Sequence, residues 1–202
     1  MKKFYTNKMC KTFYKFQYFT VASIWGYWVL SSTGWLPWHI GGGRLSIEEA
    51  QNAAFSSLGA MPYFKCPWPV LIYALGTMGY HVFDAILGVL RERESDFWEM
   101  QLHHIATVSL IFCMIFGNNL GAGCMIAYLH DLADITVQAV KCVSCTNYSN
   151  LTLGVYFVFV SAWFWTRLFV FPQILFYVWT GDYQVNACWY FMRINAVMCT
   201  AL

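Results

Sequence analysis

Residues 97–116 read FWEMQLHHIATVSLIFCMIF, and residues 120–140 read LGAGCMIAYLHDLADITVQAV. Each is close to the ~20 mostly apolar residues that a helix needs to cross a bilayer. Yet the first holds Glu99, His103 and His104, and the second holds His130, Asp131 and Asp134. Ionisable groups inside a membrane segment are expensive and as a rule functional. Only Gly117, Asn118 and Asn119 join the two stretches, so the helices are expected to be antiparallel neighbours. In that arrangement His103 matches Asp134 in depth, Thr107 matches His130, Glu99 matches Gln138, and Asp96 matches Lys141. The polar positions recur three and four residues apart, one face of each helix. Two polar stripes at matched depth are expected to face each other inside a bundle. His103, six residues from Phe97, would lie about 9 Å below the membrane edge at 1.5 Å per residue.

The rest of the chain agrees with a membrane setting. Of 202 residues, 59% are hydrophobic, 20% aromatic and only 11% charged. A soluble domain is roughly 25% charged, so the charge here is too sparse to cover one. This excludes a disordered chain, a nucleic-acid-binding module and an ordinary cytosolic enzyme. Six apolar spans are read, at 13–31, 69–90, 97–116, 120–140, 151–179 and 186–202. The fifth is long and contains Pro172, which predicts a kink or a tilt. The sixth stops at Leu202 without a polar flank, which suggests truncation. The first is too long for a signal peptide and lacks an evident cleavage site.

The one long connection, 32–68, holds Gly41–Gly43 and four of the five prolines. It is read as a surface loop, not a second domain. Within it Ser46 and Glu49 form a capping box that opens a short helix to about Leu58. With a cytoplasmic N-terminus, eight basic residues fall on the cytoplasmic side: Lys2, Lys3, Lys8, Lys11, Lys15, Arg91, Arg93 and Lys141. Arg44 and Lys65 fall on the other. This obeys the positive-inside rule. Six spans then leave both termini cytoplasmic, loop 32–68 luminal, and the sequons at Asn147 and Asn150 unglycosylated. The lone Cys142-x-x-Cys145 pair has no second pair to complete a zinc site.

A carboxylate beside an imidazole fixes its tautomer and raises its basicity. Two adjacent histidines with two aspartates one turn apart therefore suit a general base or an activated nucleophile, and the alternative is a set of hydrogen bonds that only joins helices. No His-Glu-x-x-His zinc-peptidase motif and no Gly-x-Ser-x-Gly elbow exists. His81 and Asp84, three residues apart, are read as a bundle hydrogen bond, with contact to a substrate as the alternative.

The run Asp96-Phe-Trp-Glu-Met100, His103-His104, Thr107, Leu129-His-Asp131, Asp134 and Lys141 resembles the Lag motif of ceramide synthases. Arg167-Leu168 and Phe171-Pro172 look like that family's Arg-Leu and Tyr-Pro stretch. The resemblance covers most of the chain and is densest over 91–148. Ser95 departs from the family's usual basic residue, and Gln138 stands where Glu is frequent. The family's additional N-terminal helix and cytoplasmic tail are missing.

The resemblance implies an all-α integral membrane protein, a six-helix TLC-type bundle, with residues 1–202 as a single TLC domain in the endoplasmic reticulum membrane. It implies acyl transfer from a fatty acyl-CoA to the amine of a sphingoid base. His103, His104, Asp131 and Asp134 would carry the chemistry. Arg91, Arg93 and Lys141 at the cytoplasmic mouth would attract the polyanionic CoA head, or serve only as topology signals. In one mechanism an imidazole takes a proton from the attacking amine. In the other it attacks the thioester to form an acyl-imidazole. No metal or resident cofactor is expected, since acyl-CoA is a co-substrate. The expected partners are acyl-CoA, a long-chain base and membrane lipid, with no nucleic acid, and a homo- or heterodimer stays open. The rival is a non-catalytic TLC protein that senses lipid or serves as a translocon-associated scaffold. A transporter is disfavoured because the polar groups cluster toward one side.

Overall fold

The computed structural model describes residues 2–58, 66–90, 97–116, 119–146 and 148–180, without the side chains of 2–8, 55–58 and Glu99. Among them the secondary structure is helical: α1 (Lys2–Thr33), a 3₁₀ turn (Trp38–Ile40), α2 (Ile47–Leu58), α3 (Trp68–Leu90), α4 (Phe97–Phe116), α5 (Leu120–Val143), α6 (Ser149–Trp163) and α7 (Phe171–Thr180). A π-helical stretch, Phe164–Val170, joins α6 to α7 without a break. The sixth expected span, 186–202, lies outside the described residues, as do Arg91, Arg93, Asp96 and Asn147.

By length and composition, Trp68–Leu90 and Ser149–Thr180 are long and apolar enough to cross a membrane, while Met100–Phe116 is apolar but shorter. Among the described residues no other helix passes that mark. Lysines occupy the first half of α1, and α5 contains Asp131, Asp134 and Lys141. The exposure pattern is that of a membrane protein. None of the fifteen residues of α6 is buried, and Phe157 and Val158 are more than 60% exposed. An apolar helix that leaves most of its surface exposed suits a lipid surrounding.

α5 is the centre of the bundle. It packs against α1 along most of its length, and α4 leans mainly on α3. Leu120, Met125 and Leu129 of α5 are fully buried with Leu30, Trp35, Ile47, Val70, Val170 and Ile174. α1 ends at Gly34, whose φ of +73° suits the residue after a helix. There the Trp35 N–H returns to the Leu30 carbonyl at 2.9 Å, the long-range bond of a Schellman cap.

The long connection departs from its reading as a surface loop. Trp35, Leu36, Ile40, Ile47, Ala50 and Ala54 are all buried, so α2 folds back between α5 and α7. Gly121 permits the approach, because a Cβ there would collide with the Cβ of Ala54. Gln51 donates through Nε2 to the Ile174 carbonyl at 3.1 Å, which satisfies a polar group that burial would otherwise leave alone.

The capping box forms as expected. The Ser46 N–H donates to Glu49 Oε2 at 2.7 Å, and the Glu49 N–H donates to Ser46 Oγ at 3.2 Å. These bonds hold the Glu49 carboxyl below its ordinary range. A lowered folded-state value means stability that is complete above the unfolded value and lost as pH falls through the folded one. Acidification through the carboxylate range is therefore expected to lower the exchange protection of first-turn amides of α2, measured relative to their intrinsic rates at each pH. Ser46→Ala, which removes a cap worth ~0.5–2 kcal/mol, should bring the same loosening at neutral pH. Exchange unchanged by either would refute the cap's role.

Where a kink or tilt at Pro172 is expected, the helix widens before it. Pro172 has no N–H to return to the preceding turn, and the seven residues before Phe171 adopt π geometry. Such insertions recur at functional sites. This one places Arg167 against the cavity described next.

Candidate functional site: a histidine-lined cavity

A cavity, partly open to the outside, lies between α3, α4, α5 and the π stretch. His81 and Thr77 of α3, His103 and Thr107 of α4, and His130, Asp131 and Asp134 of α5 line its polar part together with Arg167. Leu110, Ile111, Met114, Ile126 and Phe171 line the rest. Gly123 lets Met114 pack onto α5 beside this apolar part, since a Cβ there would collide with Met114 Sδ.

The four residues expected to carry chemistry have separate surroundings. His103 faces the cavity, its ring centroid 6.0 Å from that of His81 and 5.7 Å from that of His104. Asp134 lines the same cavity, and no hydrogen bond joins it to His103 among the described residues. Asp131 accepts a 2.8 Å hydrogen bond from the Tyr73 hydroxyl. His104 is buried and turned from the cavity. Its Nε2 lies 3.2 Å from Asp84 Oδ2, and its Nδ1 lies 3.1 Å from Nδ1 of His81.

The imidazole–carboxylate pair is thus present, but its carboxylate comes from α3 and not from α5. The reason is packing. α4 lies along α3, and a cavity separates the facing stripes of α4 and α5. Asp84 also accepts from Lys15 Nζ at 2.6 Å, with both side chains at most 15% exposed. Lys15 read as a topology signal, yet it is an internal ion-pair partner. His81 and Asp84 do make bundle bonds as read, and His81 also reaches the cavity. Sequence reasoning missed Tyr73 and the role of Lys15. A tyrosine in an apolar helix and a lysine at its edge carry no local signal of a partner fifty or more residues away.

His130 donates through Nδ1 to the Ile126 carbonyl one turn back at 2.8 Å, since a carbonyl can only accept. Its ring stands edge-on to Phe171 at 5.5 Å. Arg167 Nε is buried, with no hydrogen-bond partner among the described residues. Lys141 is exposed near the end of α5 and does not line the cavity.

Gly26 of α1 seats Tyr73. A Cβ there would stand 3.0 Å from the Tyr73 ring and hydroxyl, so the ring lies directly over the α1 backbone. Tyr73→Phe leaves Asp131 without this donor. A buried acceptor stripped of its partner costs about 1–3 kcal/mol, and the unfolding midpoint of the purified protein is expected to fall accordingly. An unchanged midpoint would mean that water or another donor already serves Asp131.

A helical bundle with an apolar exterior and a buried set of imidazoles and carboxylates defines a membrane protein with an internal polar site. The TLC domain family matches residues 8–202, and the chain belongs to that family. Its similar curated relatives are ceramide synthases. It is 25% identical over 170 residues to ceramide synthase hyl-1 of Caenorhabditis elegans, covering 84% of this chain and 42% of that protein. It is 26% identical over 168 residues to sphingosine N-acyltransferase lag1 of Schizosaccharomyces pombe, covering 83% and 39%. Bovine ceramide synthase 4 is 25% identical over 199 residues, covering 96% and 46%. The chain spans less than half the length of these relatives.

Proposed function

We propose that this chain is the membrane core of a sphingoid-base N-acyltransferase that uses fatty acyl-CoA. One observation carries the reading. A single cavity joins the imidazole of His103 and the carboxylates of Asp131 and Asp134 to an apolar wall of Leu110, Ile111, Met114 and Ile126. Amphiphilic substrates need this combination, with an acyl chain along the wall and the reacting carbonyl and amine at the polar part. The names of the relatives supply the substrate class.

His103 acts on the acyl carbon by one of two routes. As nucleophile it forms an acyl-imidazole: the C–S bond breaks, a C–N bond forms, and the ring proton leaves with the CoA thiol. As base it takes a proton from the amine while that amine attacks the thioester directly. Asp134 and Asp131 orient groups in the cavity and offset positive charge there. Arg167 is aimed at the same space with Nε unpartnered among the described residues, so it can hold an oxygen on which negative charge develops. Arg91 and Arg93, outside the described residues, and Lys141 attract the CoA head from the cytoplasmic side. Lys141, being exposed, acts through its field and not by contact.

The topology that goes with this reading has six spans in the endoplasmic reticulum membrane, cytoplasmic termini and a luminal 32–68 connection. Residues 1–202 then form one TLC domain. The test is purified protein with a long-chain base and a panel of acyl-CoAs, with N-acyl product detected by mass spectrometry. Product that requires both substrates is expected. Folded protein that makes none with any acyl-CoA would favour the non-catalytic rival.

A further inference from the structure

The geometry points to His81, not His104, as the group that handles a proton in the cavity, with Asp84 and His104 as positioning residues behind it. The inference deepens the proposed acyl transfer and rests on that reading.

The argument starts at the buried end. Asp84 pairs with the Lys15 ammonium at 2.6 Å. As a carboxylate it can only accept hydrogen bonds. His104 Nε2, 3.2 Å from the same oxygen, must therefore carry a hydrogen and donate it. Lys15 supplies the counter-charge to Asp84, and in the proposed arrangement the hydrogen on Nε2 is the one His104 carries, which leaves a lone pair on its Nδ1. His81 Nδ1 lies 3.1 Å from that lone pair and must donate to it. This leaves the lone pair of His81 on Nε2. His81 lines the cavity and His104 does not. Both nitrogens of His104 are thus occupied, and the basic atom of the chain is presented by His81.

The chain also gives an arriving proton somewhere to go. A sphingoid ammonium must lose a proton before its nitrogen can attack. That proton binds His81 Nε2. The hydrogen on His81 Nδ1 then passes to His104 Nδ1, so the imidazolium comes to rest on His104 against the Asp84 carboxylate. The free amine attacks the acyl carbon: the amide C–N bond forms, the bond from that carbon to the CoA sulfur or to an acylated His103 breaks, and the amine's second proton leaves with the departing thiol or imidazole. The rings of His81 and His103 are 6.0 Å apart, close enough to act on neighbouring atoms of one reaction centre.

His130 is the competing base, since its Nδ1 bond also leaves Nε2 with a lone pair. Its Nδ1 donates to a backbone carbonyl, and among the described residues no ring or carboxylate is hydrogen-bonded behind it to relay the proton onward, as His104 and Asp84 do behind His81. A protonated His130 would also share the cavity with Arg167.

The test combines chemical rescue with direct labelling. His81→Ala is expected to lower kcat for N-acyl product by ~10²–10⁴-fold, the usual effect of losing a general base, with KM for acyl-CoA little changed. Added imidazole and methylimidazoles should restore turnover in order of their basicity. A structural role would not respond to added base. Near-normal kcat in His81→Ala overturns the proposal, and so does a loss in monodisperse protein that imidazole cannot restore. Wild-type protein inactive with every acyl-CoA would instead count against the acyltransferase reading. The labelling arm does not depend on activity. Diethyl pyrocarbonate, mapped by peptide mass spectrometry, should modify His81 and spare His104. Asp84→Asn should blunt the pH dependence of kcat while His81 stays the labelled ring. Labelling of His104 with His81 spared overturns the proposal.

Discussion

Replacing His103 with alanine is expected to lower N-acyl product formation by ~10²–10⁴-fold, with the protein still inserted and monodisperse. His103 is the histidine of the adjacent pair whose ring reaches the cavity. Among the described residues its side chain makes no hydrogen bond that would hold the bundle together, so the variant is expected to lose chemistry and little packing. Its two possible routes differ in a mass that can be weighed. Wild-type protein mixed with acyl-CoA and no amine should gain one acyl group if an acyl-imidazole forms, and the adduct should vanish in His103→Ala. An active enzyme that gains no mass under these conditions does not proceed through an acyl-imidazole. If His103→Ala keeps near-normal turnover, the cavity is not the site of acyl transfer.

The second large effect concerns stability. Asp84→Leu leaves the Lys15 ammonium buried without its counter-charge. Breaking a buried ion pair from one side typically costs about 3–5 kcal/mol. A fall in unfolding midpoint of that order is expected in detergent. Replacing both partners, Lys15→Met with Asp84→Leu, removes the stranded charge along with the pair. Such a swap is often neutral or better, so the double variant should recover most of the lost stability. It should not recover turnover, because His104 still lacks the carboxylate that sets its tautomer. Equal stability in the single and double variants would show that Lys15 reaches water. Full turnover in the double variant would remove Asp84 from the mechanism.

The two expectations divide along a line visible in the molecule. His103 and the aspartates of α5 are readable as candidates because they lie in one stretch of chain, repeat at helical spacing, and are costly in an apolar segment. The capping box of Ser46 and Glu49 is readable for a related reason, since both partners lie within one turn. Pro172 likewise acts on its own neighbourhood, and the helix around it changes pitch. None of these needs knowledge of which helix lies next to which.

The partner of His104 does need that knowledge. Depth matching across the short Gly117–Asn119 connection pointed α4 at α5, and by that rule the carboxylates of α5 were the natural partners. The connection does make the two helices consecutive, but consecutive helices need not close on each other along their whole length. α4 rests on α3, where Gln101 donates to the Ala85 carbonyl at 3.2 Å and where a Cβ on Gly88 would strike Gln101. The space left between α4 and α5 becomes the cavity. His104 consequently turns to Asp84, Asp131 turns to Tyr73, and Lys15 leaves the company of the surface lysines.

Composition and periodicity alone determined that the chain is helical, that most of it lies in an apolar surrounding, and that a few imidazoles and carboxylates are held within it. Those properties follow from the solvation cost of each residue and the 3.6-residue turn, which are local. The tertiary structure decided which carboxylate meets which imidazole, because a hydrogen bond depends on ångström distances between helices. It also decided which histidine faces the cavity, because neighbouring positions on a helix point 100° apart and only packing settles which of the two directions is open.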